Sequence, residues 1–306
     1  MIRNYNCLGA RAGTWLKSRE PDKVGHSPSF TSCMLGKSWL TSILIFLIFL
    51  TSSNVFAQLS SYSFAQSTGT YTSITGGTQI YSGSFDDGST SFALPFTFNY
   101  NGANYSNVMV ATNGYLVFGS ADPTAGSYLN QPVISNGTAG TSVTTGAIAG
   151  WSTDVNGWTG TLGGQTSEVR GEVTGTSPNR EAVFQWRIRT AYATSTVQVR
   201  YVSFQIRLEE TTNKIRIVYG GSGSIVGTTN GNATPQIGLR GATNADYNNR
   251  KIVSGTWPPT AGGTANTDVL STSSTFYNAT TAKFTWTPPC YAPISIAATL
   301  QADNAS

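Results

Sequence analysis

The sequence predicts an all-β protein: an antiparallel β-sandwich, jelly-roll-like, of ten or more strands, with little helix outside a signal peptide. Three observations carry this. After residue 58, apolar residues recur with period two or stand in short runs bounded by turn residues, the pattern of half-buried strands. Turn signals return about every 8–12 residues, as in sandwiches and barrels. Charged residues are only 10% of the chain, against roughly 25% in ordinary soluble domains, and Gly, Ser, Thr and Asn stand in their place. No stretch of about a dozen residues shows helical spacing, and no repeat of fixed period is present.

The first 57 residues stand apart. The apolar run LTSILIFLIFL, Leu40 to Leu50, is shorter than the ~20 residues of a membrane span. Lys37 precedes it, and Val55 and Ala57 occupy the −3 and −1 positions of a cleavage site, the layout of a secretory signal peptide. An uncut anchor is the alternative. A peptide starting at Met34 has the usual length, so residues 1–33 read as a mis-assigned or disordered extension and 34–57 as the leader. Removing both takes six of the 18 Lys and Arg and two of the 14 Asp and Glu, leaving twelve of each. The remainder is formally neutral, without the basic stripe a nucleic-acid partner requires, and no membrane span follows cleavage. The single histidine, His26, and Cys7 and Cys33 go with the leader.

Residues 58–287 supply the strands. FALPFTFNY (Phe92–Tyr100) alternates Leu94, Phe96 and Phe98 against polar neighbours, and Pro95 suits an edge or a strand start. Asn101-Gly102 turns it into the next run. ATNGYLVFG (Ala111–Gly119) reads as a hairpin on a tight Asn113-Gly114 turn. GAIAGW (Gly146–Trp151) is a short buried run. EAVFQWRIRTAY (Glu181–Tyr192) sets Phe184, Trp186 and Ile188 against Val183, Gln185, Arg187 and Arg189. In the hairpin from Arg200 to Gly220, Val202, Phe204, Ile206 and Leu208 face the core and Ile215, Ile217 and Tyr219 return; Glu209 and Lys214 flank the turn as an exposed pair. Gly/Thr-rich loops at 119–145 and 220–234 are expected to cap one end. Pro288-Pro289 then punctuates the chain, and the alternation of Ile294, Ile296 and Leu300 reads as a linker and the start of a further Ig-like or fibronectin type III-like module over 288–306. Cys290 is left alone, which calls for a partner beyond the residues given.

The order of YSFAQSTGTYTSITGG, DDGSTSFALPFTFNYNGANYSNVMVATNGYLVFG, IAGWSTDVNG, AVFQWRIR and VSFQIRLEETTNKIRIVYG resembles the N-terminal β-sandwich domain of large exported Bacteroidota proteins. Those commonly continue into fibronectin type III or Ig-like modules and a type IX secretion sorting domain. A more distant likeness is to the nidogen-type extracellular domain, in which a strand carrying NGF or NGY precedes a segment like APFWADVD; here AIAGWSTDV places Trp151 and Asp154 at matching positions, with Gly150 in place of a bulky residue. The resemblance implies an extracellular, adhesive or matrix-associated domain without catalysis.

The residues agree with that last implication. Triad-type nucleophilic catalysis needs a base such as imidazole, and catalytic zinc draws on His or Cys; a chain without its first 57 residues has no histidine and one cysteine. Glycosidases need only two carboxyl groups; Asp154, Glu168, Glu172 and Glu209-Glu210 are candidates, better explained as solvated strand faces and turns. Calcium takes oxygen ligands from loops, and Asp86, Asp87 and Asp154 are its candidates, with Asn156 beside a turn glycine; plain turn nucleation is the competing explanation. Sugars stack on exposed rings near planar polar groups, which singles out Trp158, Trp257 and Tyr247, with Asn156, as ligand-binding residues, unless the tryptophans cover the open ends of the sandwich. Trp186 and Trp286 belong to strands and to the core. The expectation is a non-catalytic extracellular adhesion or binding module of a secreted or cell-surface protein. It would have a glycan or a matrix or surface protein as partner and no cofactor beyond a structural calcium. The alternative is a structural spacer or filament subunit without a ligand. An accessory domain of a secreted carbohydrate- or protein-degrading enzyme ranks below both.

Overall fold

The computed structural model describes residues 58–125, 128–129, 132–135, 143, 145–162, 164–192, 199–226, 233–253, 260–270 and 282–289. Residues 1–57, with the expected leader, Trp257, and residues 290–306, with Cys290 and the expected start of a further module, lie outside the described residues. In chain order the strands are β1 (Ser63–Thr68), β2 (Thr78–Ser82), β3 (Ser89–Tyr100), β4 (Ala103–Ala111), β5 (Tyr115–Phe118), β6 (Thr124–Ala125), β7 (Tyr128–Leu129), β8 (Ala147–Ser152) and β9 (Thr161–Leu162). They continue with β10 (Gln165–Thr166), β11 (Glu168–Thr174), β12 (Glu181–Arg189), β13 (Val199–Glu209), β14 (Ile215–Val226), β15 (Gln236–Arg240), β16 (Tyr247–Ile252), β17 (Thr260–Gly262) and β18 (Ala282–Thr287). A single 3-10 turn, Leu59–Ser61, precedes β1.

Fourteen of these strands form two seven-stranded sheets. Sheet I runs β1-β18-β14-β13-β12-β11-β2 and sheet II runs β17-β16-β15-β8-β5-β4-β3; β6-β7 and β9-β10 are separate two-stranded ribbons. Neighbouring strands are antiparallel throughout, so the protein is an all-β sandwich as its alternation predicts. The inward face of sheet I carries Phe184, Trp186, Ile188, Val202, Phe204, Ile206, Ile217 and Phe284, and that of sheet II carries Phe98, Val108, Val110, Leu116, Phe118 and Ile148, all essentially fully buried. Trp186 stacks on Phe204 with ring planes 7° apart, and Phe98 stacks on Phe118 in the same manner.

Gly150 belongs to this seam. A Cβ there would meet the Phe204 ring at 2.3 Å, so the position is small because the opposite sheet has filled its space. Two Asn-Gly dipeptides, alike in sequence, make different turns. Asn101 and Gly102 both have positive φ, 52° and 82°, and join the paired residues Tyr100 and Ala103 as a two-residue turn. Asn113-Gly114 instead lies in a three-residue loop between the paired residues Ala111 and Tyr115. Only Gly114 is left-handed there, the arrangement of a bulged hairpin. The Gly114 carbonyl accepts from both Gly150 and Trp151, and a Cβ on Gly114 would strike the Trp151 carbonyl.

Both outer faces are covered, though differently. On sheet II, Met109, Ala111, Tyr115, Val117, Ala147 and Ala149 pack against Val133, Ile134 and Val143. The described part of the 119–145 segment therefore lies over a sheet face, correcting the expectation of an end cap. Buried Arg240 ties this cover down through the Val133, Ile134 and Val143 carbonyls, and Gln236 accepts from the Ile134 and Ser135 amides. Residues 220–226, expected in a loop, extend β14. On sheet I, residues 69–77 cross from β1 at one edge to β2 at the other. Gly69 lies against Lys283 and the Tyr71 ring against Gly220. The Thr72 carbonyl accepts from Gln205, Ile74 is bonded to Gln185 through both its N–H and its carbonyl, and Arg170 donates to the Thr75 and Gly76 carbonyls. Six strand spacings amount to about 29 Å, and ten residue steps reach about 33–36 Å, so the strap is close to full extension. No helix among the described residues is long and apolar enough to cross a membrane.

Gly150→Ala is expected to destabilise by about 1–3 kcal/mol through overpacking, read as a lowered Tm; adding Phe204→Leu should recover part of the loss. An unchanged Tm for Gly150→Ala would show that the sheets are not in contact at this point.

Candidate functional site

The register fixes two ends of the sandwich. Ser63 pairs with Thr287, Ile215 with Trp286 and Glu181 with Glu209, so the chain enters sheet I and leaves it at one end. Call this the proximal end. At the opposite, distal end lie the last residues of β2, β8 and β12 and the β4–β5 turn, which bring three loops together.

Asp86 and Asp87 follow β2, Asp154 follows β8, and their carboxylate oxygens lie within 4.8 Å of one another. Asn113, fully buried at the hairpin turn, clamps the two loops: its Nδ2 donates to Asp87 Oδ1 at 2.7 Å and its Oδ1 accepts the Val155 amide at 3.2 Å. Next to it, Thr112 Oγ1 donates to the Asp86 carbonyl and accepts the Gly88 amide. The Asp154 carbonyl accepts the Tyr192 amide and the Asn156 carbonyl accepts that of Arg189, which fastens the Asp154 loop to the end of β12 and the residues just after it. The sequence therefore selected three acidic residues that the fold does converge, from positions far apart in the chain.

Among the described residues none of the three aspartates is ion-paired. Asp86 and Asp154 still reach solvent, yet the loops around them strip enough water to push both carboxyls above their ordinary value. The neighbouring carboxylates add to this, Asp87 for Asp86, and Asp87 then Asp86 for Asp154. Tyr192, whose amide bonds the Asp154 carbonyl, has 46% of its surface exposed, one of two large apolar side chains so exposed among the described residues.

The proximal end is electrostatically closed. A cleft of about 330 Å³ is lined by Thr174, Asn179, Arg180, Glu181, Glu209 and Glu210, among others. Arg180 pairs with Glu210 at 2.6 Å, Arg207 with Glu181 at 3.1 Å, and Arg216 bridges Glu181 and Glu209. The partner of Glu209 is thus Arg216 rather than Lys214: Arg216 is paired with Arg207 in the sheet and reaches Glu209 diagonally, two residues along the same strand face. Arg180 pulls the Glu210 carboxyl down to about 2. Glu168 is likewise held by Arg170 and Arg187.

Of the ring residues expected to bind sugar, Trp158 is 1% exposed, its Nε1 donates to the Gln165 carbonyl, and its ring lies 6.3 Å from Tyr201. It seals the distal end from inside, a correction that its flanking glycines concealed. Tyr247 is half-buried against the cover of sheet II, donates to the Thr264 carbonyl, and pairs with Arg240 at the other end of β15 from the aspartates; it is not part of this site. Trp257 lies outside the described residues. Asn156 is half-buried beside the trio. Sequence reasoning missed Asn113, read only as a turn former, and Tyr192, read only as the end of a strand.

A family model described as NIDO related matches residues 61–288, well over half of the 306-residue chain. The chain belongs to the nidogen-related family. The matched region covers both sheets and both ends, so the distal loops are part of the family domain rather than an addition to it. No curated protein and no solved structure matches this chain.

Two outcomes follow from the electrostatics. Because folding raises the Asp154 pKa, the ionised group opposes folding at neutral pH and ceases to oppose it as pH falls below the ordinary 3.8. In chelator, Asp154→Asn is expected to raise Tm at pH 7 by about 1–3 °C, with the gain vanishing toward pH 3.8; no gain at pH 7 would mean that the trio is already neutralised. Glu210 has the opposite sign: its contribution holds above 4.5 and fades as pH falls toward about 2. Glu210→Gln should therefore lower Tm at pH 7 and have little effect near pH 2.

Proposed function

We propose that this nidogen-related domain is an extracellular, non-catalytic binding module that engages its partner, a glycan or a matrix or surface protein, through its distal loops. The single observation behind this is the contrast between the two ends. The proximal carboxylates are each neutralised by a guanidinium, whereas the distal aspartates are held together without a countercharge, next to an exposed tyrosine. Gathering like charges costs folding energy, so a fold that pins them with a buried Asn113 amide holds them for a purpose other than stability. The extracellular setting draws on the family, on the signal-peptide layout of residues 34–57, and on the low charge of the chain.

The test is binding of the purified protein to a glycan array and a panel of matrix proteins. Tyr192→Ala is expected to weaken the interaction by about 30-fold if the ring is a central contact, worth about 2 kcal/mol. Arg180→Ala, at the far end, should leave it unchanged. Absence of binding to either class, with assembly into fibres by electron microscopy, would replace this reading with that of a filament subunit.

A further inference from the structure

Two cavities of the sandwich differ in how far their polar groups are already engaged. In the proximal cleft Glu210 is saturated: it accepts from the Arg180 guanidinium at 2.6 and 2.8 Å and from the Arg180 amide at 3.0 Å. A second cavity, of about 310 Å³, lies on the outer face of sheet I at its distal corner, between the end of β2 and the β9–β10 ribbon. That volume is at the lower end of small-molecule sites, about 300–1,000 Å³. Its walls are fixed by the fold. The Gly83 amide donates to the Ser167 carbonyl at 3.2 Å and the Gly157 amide to the Phe85 carbonyl at 2.8 Å, while buried Trp158 holds the ribbon through the Gln165 carbonyl.

The polar groups lining this second cavity are short of partners. Glu168 is only 13% exposed. Apart from Gln185 Nε2 at 2.9 Å its contacts are long, with Arg170 Nε and Nη2 at 3.4 Å and Arg187 Nη1 at 3.6 Å. A full charge-assisted bond is about 2.7–2.9 Å. Two guanidiniums thus neutralise the carboxylate without filling its lone pairs. Gln79 Oε1 accepts from Arg170 Nη2 at 3.1 Å, which leaves its NH2 group as a donor. The exposed hydroxyls of Ser82, Thr161 and Thr166 have no partner among the described residues.

We propose that this corner binds one uncharged sugar residue of a glycan, with Glu168 accepting from its ring hydroxyls, Gln79 donating, and Ser82, Thr161 and Thr166 completing the contacts. The ligand class follows from the donor and acceptor set. A fixed planar carboxylate and a carboxamide beside small hydroxyls suit a molecule whose edges all carry hydroxyls, each both donor and acceptor. Glu168 is the one charged residue lining the cavity, so a uronate or sulfated sugar would set like charge against it. No aromatic ring is among the lining residues; hydrogen bonds alone hold the sugar, and a single ring binds weakly. The inference rests on the reading of the distal end as the ligand face and adds to it a pocket and the ligand class.

The test is saturation-transfer NMR, which detects weak binding, on the purified protein with methyl glycosides of neutral hexoses and of glucuronate. Neutral hexosides are expected to receive saturation and the glucuronate glycoside is not. Glu168→Gln should weaken binding by about tenfold or more, and Thr161→Val and Ser82→Ala by about 3–10-fold each. Glu172→Gln, farther along the same strand, should leave it unchanged. Thr161 and Ser82 are exposed, so their variants should keep the wild-type Tm, which separates a lost contact from a lost fold. Saturation transfer that is equal in wild type, Glu168→Gln and Thr161→Val overturns the pocket; the distal reading survives that failure if Tyr192→Ala still weakens glycan binding. Transfer to the glucuronate glycoside alone overturns the ligand class. No transfer to any hexoside overturns the pocket, and the distal reading falls with it only if the glycan array and the matrix-protein panel are also negative.

Discussion

The pairing of β1 with β18 is the constraint on which the rest of this structure depends. It places the strand at the start of the domain beside the strand at its end, and the next strand in sequence, β2, at the opposite edge of the same sheet. Two features follow from that single choice. Residues 69–77 must cross the sheet, and they do so near their maximum reach. The chain also comes in and leaves at one end, which frees the other end from connections to flanking sequence. The distal loops are available because the proximal end carries the traffic.

The two outer faces show how differently a sheet can be covered. Sheet II meets its cover mostly with apolar side chains, and Arg240, Gln236 and Ser152 bond to the cover's backbone. Sheet I meets its strap with Gln185 and Gln205, both fully buried, which present amide groups to the strap's peptide groups much as another strand would. The first solution is held by area and the second by geometry. Each hydrogen bond of the strap contributes about 1 kcal/mol net, so its attachment is a sum of modest terms, and Tyr71 against Gly220 is its main apolar contact.

Much of the fold was legible because period-two alternation is a direct consequence of strand geometry. Phe184, Trp186 and Ile188, and Val202, Phe204, Ile206 and Leu208, face inward as their spacing demands. What escaped was whatever depends on a partner distant in sequence. Gln185 looked like an outward polar residue and is buried, because the strap that covers it lies more than a hundred residues earlier. Trp158 looked like a loop residue among glycines and is sealed in the interior. The three aspartates were visible as residue types suited to an oxygen-coordinated ion, and their convergence follows from the topology. Asn113 was hidden by its own dipeptide: Asn-Gly at 101–102 and at 113–114 carry the same local signal, yet in loops of two and three residues the amides go to different places, that of Asn101 to Asp246 and that of fully buried Asn113 to Asp87 and Val155.

The partnership of Ser63 with Thr287 also has a bearing on how the molecule assembles. Strands β11 to β14 are joined by hairpins and can pair as soon as they are made, whereas β1 has no neighbour in its sheet until nearly the last residue of the domain is present. Contacts so remote in sequence slow the search for the native topology. The opening segment must therefore wait, unpaired, for the closing one, and the strap is drawn across a sheet that has already formed. A chain interrupted before Ala282 leaves that first strand with nowhere to go.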